Sequence, residues 1–244
     1  MTMGAPTDCG PKPATQRARA LRHETNRRVD GPPRARADPL APPIPILHTS
    51  GANRRLSELL ARPCVAIVGA RHSTYYGQET AAKLARELAQ AGLTIVAGLT
   101  EGIEASAHHA VLAAGRPTIA VVPGSPDTPY PLGQKHLHAK VNERGSVVGT
   151  AQQTVPTDRS RRVDHDPLLD RNSLIAQLAQ VVILIEATRG AAAIHTAERA
   201  LELGREVAAV PGRITDESAD GPNRLIRDGA HPILEAKDVL DLLG

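Results

Sequence analysis

The chain has 244 residues, of which 41% are apolar, and it contains three tyrosines but no phenylalanine or tryptophan. This length accommodates one α/β domain of good size and an additional segment. The scarcity of aromatic rings argues against OB-fold or RRM-like nucleic-acid binding, which depends on base stacking. The net charge of +3 is uneven, since residues 1–62 carry +6 and residues 63–244 carry −3. Any nucleic-acid affinity of the second part must therefore come from a local patch.

The cysteines and the apolar runs bear on the location of the protein. Cys9 and Cys64 are far apart in the sequence, and Cys64 stands at the head of an apolar run. We therefore predict no disulfide and a reducing compartment. No apolar run approaches the roughly 18 residues that a membrane-spanning helix needs, and the N-terminus lacks the apolar segment of a secretory signal. These features predict a cytoplasmic protein with no membrane partner.

Residues 1–52 are rich in proline, arginine and alanine and show little periodicity, which predicts a disordered arm. Two interpretations of its basic charge stay open, a solvated tail and an arm that binds nucleic acid. Residues 53–244 are predicted to form a single α/β domain, which opens with a short helix over residues 53–61.

From Cys64 onward, predicted strands alternate with amphipathic helices. Apolar runs such as Val181-Val182-Ile183-Leu184-Ile185 are typical of parallel strands buried on both faces. The alternation predicts an α/β fold with a mostly parallel central sheet and helices on both faces, and the polar segment 150–170 is predicted to be a surface loop. The predicted strands cover 64–68, 94–97, 118–122, 146–149, 181–186, 206–210 and 232–234. The predicted helices cover 77–91, 102–114, 133–143, 172–179, 191–203, 222–228 and 236–243.

Loops that contain glycine follow the predicted strands at their carboxyl ends, where open α/β sheets bind ligands. The loop after strand 64–68 also carries an arginine and two hydroxyls, and it leads into a helix N-terminus, where backbone N–H groups hold anions. We therefore predict a phosphate-binding rim. The residues predicted to contribute to it from these loops are Gly69, Arg71, Ser73, Thr74, Gly98, Gly102 and Gly124.

Arg71 is the leading candidate, because its planar guanidinium can grip a phosphate in two places. The alternative is a structural ion pair with a carboxylate such as Glu101 or Glu186. Lys135 and Lys140 fall in one predicted helix, which is either part of the binding surface or a solvated face. Three arginines of segment 150–170 could extend the phosphate track, and they are Arg159, Arg161 and Arg162.

Signatures of catalysis and of metal binding are missing from the sequence. It contains no G-x-S-x-G, no G-x-x-x-x-G-K-[ST], no H-E-x-x-H and no paired cysteines at metal spacing. Glu104 and His108 are four residues apart, as in some metal sites, but no further ligand accompanies them, and helix packing is the alternative. We predict a binding protein with no catalytic residue, no metal and no cofactor.

Six blocks of the sequence resemble, in order, the motifs of the DNA-processing protein A (DprA/Smf) family. VAIVGARHSTYYG is similar to the family's VGSR-x-x-T-x-YG motif, and DRNSLIA is similar to its RNR-x-IA motif. The order and spacing hold across roughly residues 64–232. The six blocks are Val65–Gly77, Gly98–Leu112, Gly115–Pro131, Asp170–Ala176, Ile185–Gly212 and Gly221–Ala230.

This resemblance implies an extended Rossmann-like domain that binds single-stranded DNA without sequence preference. Members of the family load RecA onto incoming strands during natural transformation, often form homodimers and have no established catalytic activity as their central role. Arg71 lies where the VGSR arginine of the family contacts a DNA phosphate. Arg171 and Asn172 match the first two positions of RNR, and Lys135 lies near the basic region after the YP pair. The resemblance therefore adds these three residues to the predicted DNA-binding set.

Two other functions stay open beside DNA binding. The rim could hold a small nucleotide, which would make the chain a nucleotide-sensing module. Nucleoside-monophosphate phosphoribohydrolases also have Rossmann-like folds, but their PGG-x-GT-x-x-E motif is not matched by Gly190–Glu198.

Overall fold

A computed structural model of the chain describes residues 47–50, 53–150 and 166–244. All of them belong to the unit that spans residues 37–244. The predicted arm up to residue 46 lies outside the described residues, as do Arg159, Arg161 and Arg162.

The described residues form eight strands. The strands are β1 (His48–Ser50), β2 (Cys64–Val68), β3 (Thr94–Gly98), β4 (Thr118–Val122), β5 (Ser146–Gly149), β6 (Val181–Leu184), β7 (Glu206–Ala209) and β8 (His231–Pro232). They build one sheet in the order β1-β5-β4-β3-β2-β6-β7-β8, in which β1 is antiparallel to β5 and the other neighbours are parallel. The chain moves outward from β2 to β5 and then returns to the other side of β2 with β6. The predicted α/β fold with a mostly parallel central sheet is confirmed. This strand order makes the sheet doubly wound, with its crevice between β2 and β6.

Eight α-helices accompany these strands in the described residues. The helices are α1 (Asn53–Leu60), α2 (Tyr75–Gln90), α3 (Ile103–Ala113), α4 (Lys135–Arg144), α5 (Pro167–Leu178), α6 (Ala192–Glu202), α7 (Asp220–Arg227) and α8 (Ala236–Leu243). Single 3₁₀ turns at Leu132–Gln134 and Glu217–Ala219 precede α4 and α7.

The core lies on both faces of the sheet because successive strand residues point in opposite directions. Ala66 and Val68 of β2 pack in one cluster with α1, α5 and α6, whereas Val65 and Ile67 pack in the other with α2, α3 and α8. Both faces of the central strands are thus covered by helices. This burial explains why these strands are continuous apolar runs instead of alternating patterns.

The bounds of several elements differ from the predicted ranges by one or two residues, and two elements differ by more. Helix α5 begins at Pro167, five residues before the predicted start, because Asp166 accepts a hydrogen bond from Leu168 N–H and proline is favourable at the first helical position. The predicted loop 150–170 is therefore wrong for residues 167–170. Strand β1 pairs with β5, although it precedes the predicted domain boundary at residue 53.

Candidate nucleic-acid interface

The loop of residues 69–74, here called the rim loop, connects β2 to α2 at the crevice between β2 and β6. It starts at Gly69, which is buried against neighbouring elements. Ala70 then donates its N–H to the carbonyl of Glu186 at 2.7 Å and accepts a hydrogen bond from Ile103 N–H at 3.3 Å. The segments that follow β3 and β6 therefore fix the start of the rim loop.

A carboxylate occupies the N-terminus of α2, where the sequence predicted a phosphate. Glu186, only 5% exposed, accepts hydrogen bonds from Thr74 N–H at 2.9 Å and from the Thr74 hydroxyl at 2.5 Å. The same hydroxyl caps α2 by accepting from Gly77 N–H at 3.0 Å. A carboxylate is stabilised there by the same N–H groups and helix dipole as a phosphate. The prediction for Thr74 is corrected accordingly, because its donors serve Glu186.

Arg71 and His72 form the exposed apex of the rim loop. Among residues 47–50, 53–150 and 166–244, no side-chain hydrogen bond or ion pair involves the Arg71 guanidinium. The alternative ion pair with Glu101 or Glu186 is thus not formed in this part of the chain. None of the Arg71 guanidinium donors is therefore engaged by a side chain or carbonyl of the described residues.

Ser73 faces inward, unlike its neighbour Arg71. Its Oγ is buried and has no hydrogen-bond partner among the described residues. It lies beneath the loop, against Gly102, the residue before α3, whose φ is 77°. A Cβ on Gly102 would come within 2.4 Å of the carbonyl oxygens of Ala70 and Arg71. Gly102 therefore serves the contact between two loops, and the structure gives neither residue an open position for a phosphate.

A cleft of about 470 Å³ opens beside Arg71. The rim loop forms one wall, the start of α6 at residues 191–193 forms another, and Thr100, Glu104, Arg171 and Asn172 form the floor. No side chain caps α6 at its N-terminal end. The positive end of the α6 dipole and the Arg71 guanidinium therefore border the same cleft, an arrangement that suits an anion.

Arg171 lies in the floor of this cleft and is only 5% exposed. Its guanidinium forms an ion pair with the buried carboxylate of Glu104 and also donates to Val121 O at 3.2 Å and to Asn172 Oδ1 at 3.2 Å. Thr100 donates to the same carboxylate through its N–H at 3.0 Å and its hydroxyl at 2.5 Å. These contacts argue against the direct phosphate contact that was predicted for Arg171.

Gly98 and Asn172 belong to the same buried network. A Cβ on Gly98 would lie 1.1 Å from a terminal guanidinium nitrogen of Arg171, so glycine makes room for that side chain and not for a ligand. Asn172 donates to Ala192 O at 3.1 Å and thereby joins α5 to the start of α6. Both residues shape the cleft from beneath.

His108 extends this network away from the cleft. Its Nε2 donates to Gly98 O at 2.9 Å, and its Nδ1 lies 2.9 Å from Thr118 Oγ1. Burial lowers the pKa of His108 from its ordinary 6.5 to about 4, although the nearby Glu104 carboxylate opposes the shift. These contacts and the burial of the ring fit the packing alternative for His108 and not a role as a metal ligand. No metal-ligand cluster occurs among the described residues.

Gly124 and Lys135 lie near the carboxyl end of β4. Gly124 N–H donates to Thr150 Oγ1 at 2.9 Å, so this donor is already engaged. Lys135 is the first residue of α4 and is exposed. His136 and Lys140 of the same helix are exposed too. The structure thus leaves Arg71, from the rim loop, and Lys135, from α4, as exposed cations of the predicted set.

The crevice, the arginine-bearing loop and the neighbouring cleft define a Rossmann-like binding domain. The chain matches the family model of DNA recombination-mediator protein A over residues 32–244. It therefore belongs to that family, and the resemblance identified from the six blocks is confirmed.

Curated relatives cover most of this chain but extend beyond it. A putative DNA processing protein DprA from Mycobacterium tuberculosis (strain H37Rv) is 36% identical over 190 residues, which are 78% of this chain and 47% of that protein. DNA processing protein DprA from Streptococcus pneumoniae (strain R6) is 37% identical over 75% of this chain and 62% of its own length. The chain thus spans about half to three-fifths of these relatives.

Two solved structures have the same fold. DNA processing protein A from S. pneumoniae superposes with a TM-score of 0.67 at 35% identity and covers 75% of this chain and 62% of that one. The second is DNA processing protein A from Helicobacter pylori, whose structure is described for its single-stranded DNA binding mode. It gives a TM-score of 0.68 at 27% identity and covers 88% of this chain and 94% of that one. In the described part of this chain, no helix is both long and apolar enough to cross a membrane.

Proposed function

We propose that this chain binds single-stranded DNA without sequence preference, through phosphate contacts centred on Arg71, and acts as a recombination mediator. The observation that carries the proposal is the exposed Arg71 guanidinium, which has no partner in the part of the chain that the structure describes and lies at the apex of an anchored loop beside the cleft. The family and the single-stranded DNA binding mode for which the H. pylori relative is described support it.

Charge and composition favour phosphate contacts over base readout. Residues 63–244 carry a net charge of −3, so attraction to DNA must come from local cations and not from the overall field. Arg71 and Lys135 supply such cations, and the α6 N-terminus adds a partial positive charge. Contacts to phosphate carry no sequence information, which agrees with binding that is independent of sequence.

The proposal includes binding without turnover, a cytoplasmic location, and two partners that the family resemblance implies, RecA and a second copy of the chain. The family is described as a DNA recombination mediator, which supports a binding role in this proposal. Faster RecA filament formation on DNA in the presence of the chain would support the first partner. A mass of twice 25.8 kDa by light scattering would support the second.

Oligo-dT binding at about 50 and 200 mM salt tests the DNA proposal, because phosphate contacts weaken steeply as salt rises. We expect Arg71→Ala to weaken binding about tenfold and to reduce the salt slope by about one contact. Arg116→Ala is the matched control, since Arg116 is exposed just before β4, at the amino ends of the parallel strands, whereas Arg71 follows the carboxyl end of β2. Equal binding by the wild type and Arg71→Ala would contradict the proposal.

A nucleotide-sensing role is the second candidate, and the cleft volume favours it. About 470 Å³ falls within the roughly 300–1,000 Å³ of typical small-molecule sites. A mononucleotide that binds there would raise the melting temperature by mass action, and the shift would disappear in Arg71→Ala. No shift with any nucleoside monophosphate would exclude this role.

A further inference from the structure

Glu186 holds the rim loop at both of its ends. Its backbone carbonyl accepts from Ala70 N–H at 2.7 Å, and its carboxylate accepts from the N–H and the hydroxyl of Thr74 at 2.9 and 2.5 Å. Arg71 lies between these two attachments. One residue of the segment after β6 therefore sets where the loop that carries Arg71 begins and ends.

The surrounding structure makes room for this carboxylate. A Cβ on Gly77 would lie 2.4 Å from the carboxyl carbon of Glu186, so only glycine fits at this position of α2. The Glu186 backbone is fixed on both sides, since Ile185 N–H donates to Val68 O at 3.1 Å and Ala187 N–H donates to Ser218 O at 2.8 Å. The anchor is thus rigid, and Glu186 forms no ion pair with a cation of the described residues.

We propose that Glu186 is a positioning residue for DNA binding, which acts by holding the rim loop so that Arg71 faces the cleft. The proposal rests on the function proposed above. It also assigns the N-terminus of α2 to an internal anion, so the DNA phosphate is bound beside Arg71 and not at that helix end.

Charge alone predicts the opposite effect for the loss of this carboxylate. Glu186 carries a negative charge close to the position proposed for a DNA phosphate. If this carboxylate acts only through its charge, its removal should strengthen DNA binding. A positioning role predicts weaker binding, because a loose loop must be ordered each time Arg71 contacts a phosphate. The sign of the change therefore separates the two roles.

Salt-dependent oligo-dT binding by the full chain tests the proposal with Glu186→Ala, Glu186→Gln, Arg71→Ala and the double variant Glu186→Ala/Arg71→Ala. We expect Glu186→Ala to weaken binding about tenfold and to lower the salt slope as Arg71→Ala does. The double variant should also lose about tenfold and not about a hundredfold, because residues that act through one contact are not additive. Glu186→Gln should bind as well as the wild type, because its amide can accept from Thr74 N–H and donate to the Thr74 hydroxyl.

Glu101→Ala is the matched control for charge. Glu101 is an exposed carboxylate in the loop after β3 and makes no hydrogen bond to the rim loop among the described residues. Its loss should leave binding unchanged or slightly stronger. Weaker binding by Glu101→Ala, to the same degree as Glu186→Ala, would overturn the positioning role.

Thr74→Val keeps the test decisive if Glu186→Ala does not fold. Thr74 is exposed, and Thr74→Val removes the hydrogen bond from its hydroxyl to Glu186 and the cap that the hydroxyl gives to α2. A domain of this size tolerates the loss of one helix cap. We expect about a threefold to tenfold loss of oligo-dT affinity, which disappears in the Arg71→Ala background.

The outcomes separate this inference from the proposed function. If Arg71→Ala weakens binding but Glu186→Ala and Thr74→Val do not, or if the losses add, Glu186 is not a positioning residue and the DNA site at Arg71 stands. If the wild type does not bind oligo-dT, or if Arg71→Ala binds as the wild type does, the proposed function itself fails.

Discussion

The rim loop and the buried network beneath the cleft each carry an arginine from a motif of the same family, yet their surroundings differ. Arg71 is exposed, and no described residue pairs with it. Arg171 is 5% exposed and donates to Glu104, Val121 and Asn172. A guanidinium whose nitrogens all serve internal acceptors stabilises the fold, whereas one without partners can bind an external anion.

The two regions also differ in how they are held in place. The rim loop is attached by hydrogen bonds to Glu186 at its ends and leaves its apex open to solvent. The network is tightly interconnected, because Thr100 and Arg171 both donate to the Glu104 carboxylate, and all three residues are at most 5% exposed. Substitutions should therefore affect ligand binding in the first region and stability in the second.

The largest expected effect is the destabilisation caused by Arg171→Ala. The variant leaves the buried Glu104 carboxylate without its cation and opens a space at Gly98. Removing one partner of a buried ion pair costs about 3–5 kcal/mol of the free energy of unfolding. Urea denaturation measures this loss.

Arg71→Ala is the control for that measurement. Its expected change in the free energy of unfolding is within about 0.5 kcal/mol, because the side chain is exposed and has no partner among the described residues. Similar losses in Arg71→Ala and Arg171→Ala would remove the distinction between the two regions.

The next largest effect is the pH dependence of stability that His108, in the buried network, is expected to cause. The pKa of His108 is lowered to about 4 in the folded chain, so below its ordinary value of 6.5 the unfolded chain binds the proton more tightly. The neutral His108 ring therefore contributes to the free energy of unfolding. This contribution is fully present above pH 6.5 and is lost as the pH falls towards 4. The loss amounts to about 3 kcal/mol over this window.

Urea denaturation at several pH values, for the wild type and His108→Gln, measures this contribution. Glutamine does not titrate, so the stability of the variant should depend less on pH, and the other titratable groups are present in both proteins. Parallel pH profiles for the two would show that protonation of His108 does not affect folding.

The smallest effect is expected for Lys135→Ala, at the outer edge of the binding surface. Lys135 is exposed at the first residue of α4, so a contact with a phosphate would be a solvated one, with about 0.5 kcal/mol or a twofold to threefold change in oligo-dT affinity. The change should add to that of Arg71→Ala because Arg71 lies on the rim loop and Lys135 on α4.

Arg144→Ala is the control for Lys135→Ala, since Arg144 is exposed at the other end of the same helix. A loss for Lys135→Ala as large as that for Arg71→Ala would extend the main site to α4, and no loss would limit it to the rim loop.

Much of the fold could be predicted from local patterns in the sequence. The run Val181–Leu184 is apolar because both faces of β6 are buried, and the alternation of such runs with helices predicted the doubly wound sheet. Strand β1 was not predicted because its three residues show no strand pattern of their own and form a strand only by pairing with β5. The start of α5 was missed although Asp166 and Pro167 form a recognisable helix start.

For the candidate site, the sequence by itself determined the position of the rim loop and the presence of Arg71 within it, and the structure then showed that Arg71 is exposed. A strand that ends at a glycine, followed by polar residues and a helix, specifies such a loop through local chemistry alone. Only the tertiary structure decided which polar groups the protein uses for itself. Thr74 meets Glu186 across 112 residues, and Arg171 meets Glu104 across 67. The physical reason is that a buried donor or acceptor must find a partner wherever the fold brings one, so its role depends on contacts that no local pattern encodes.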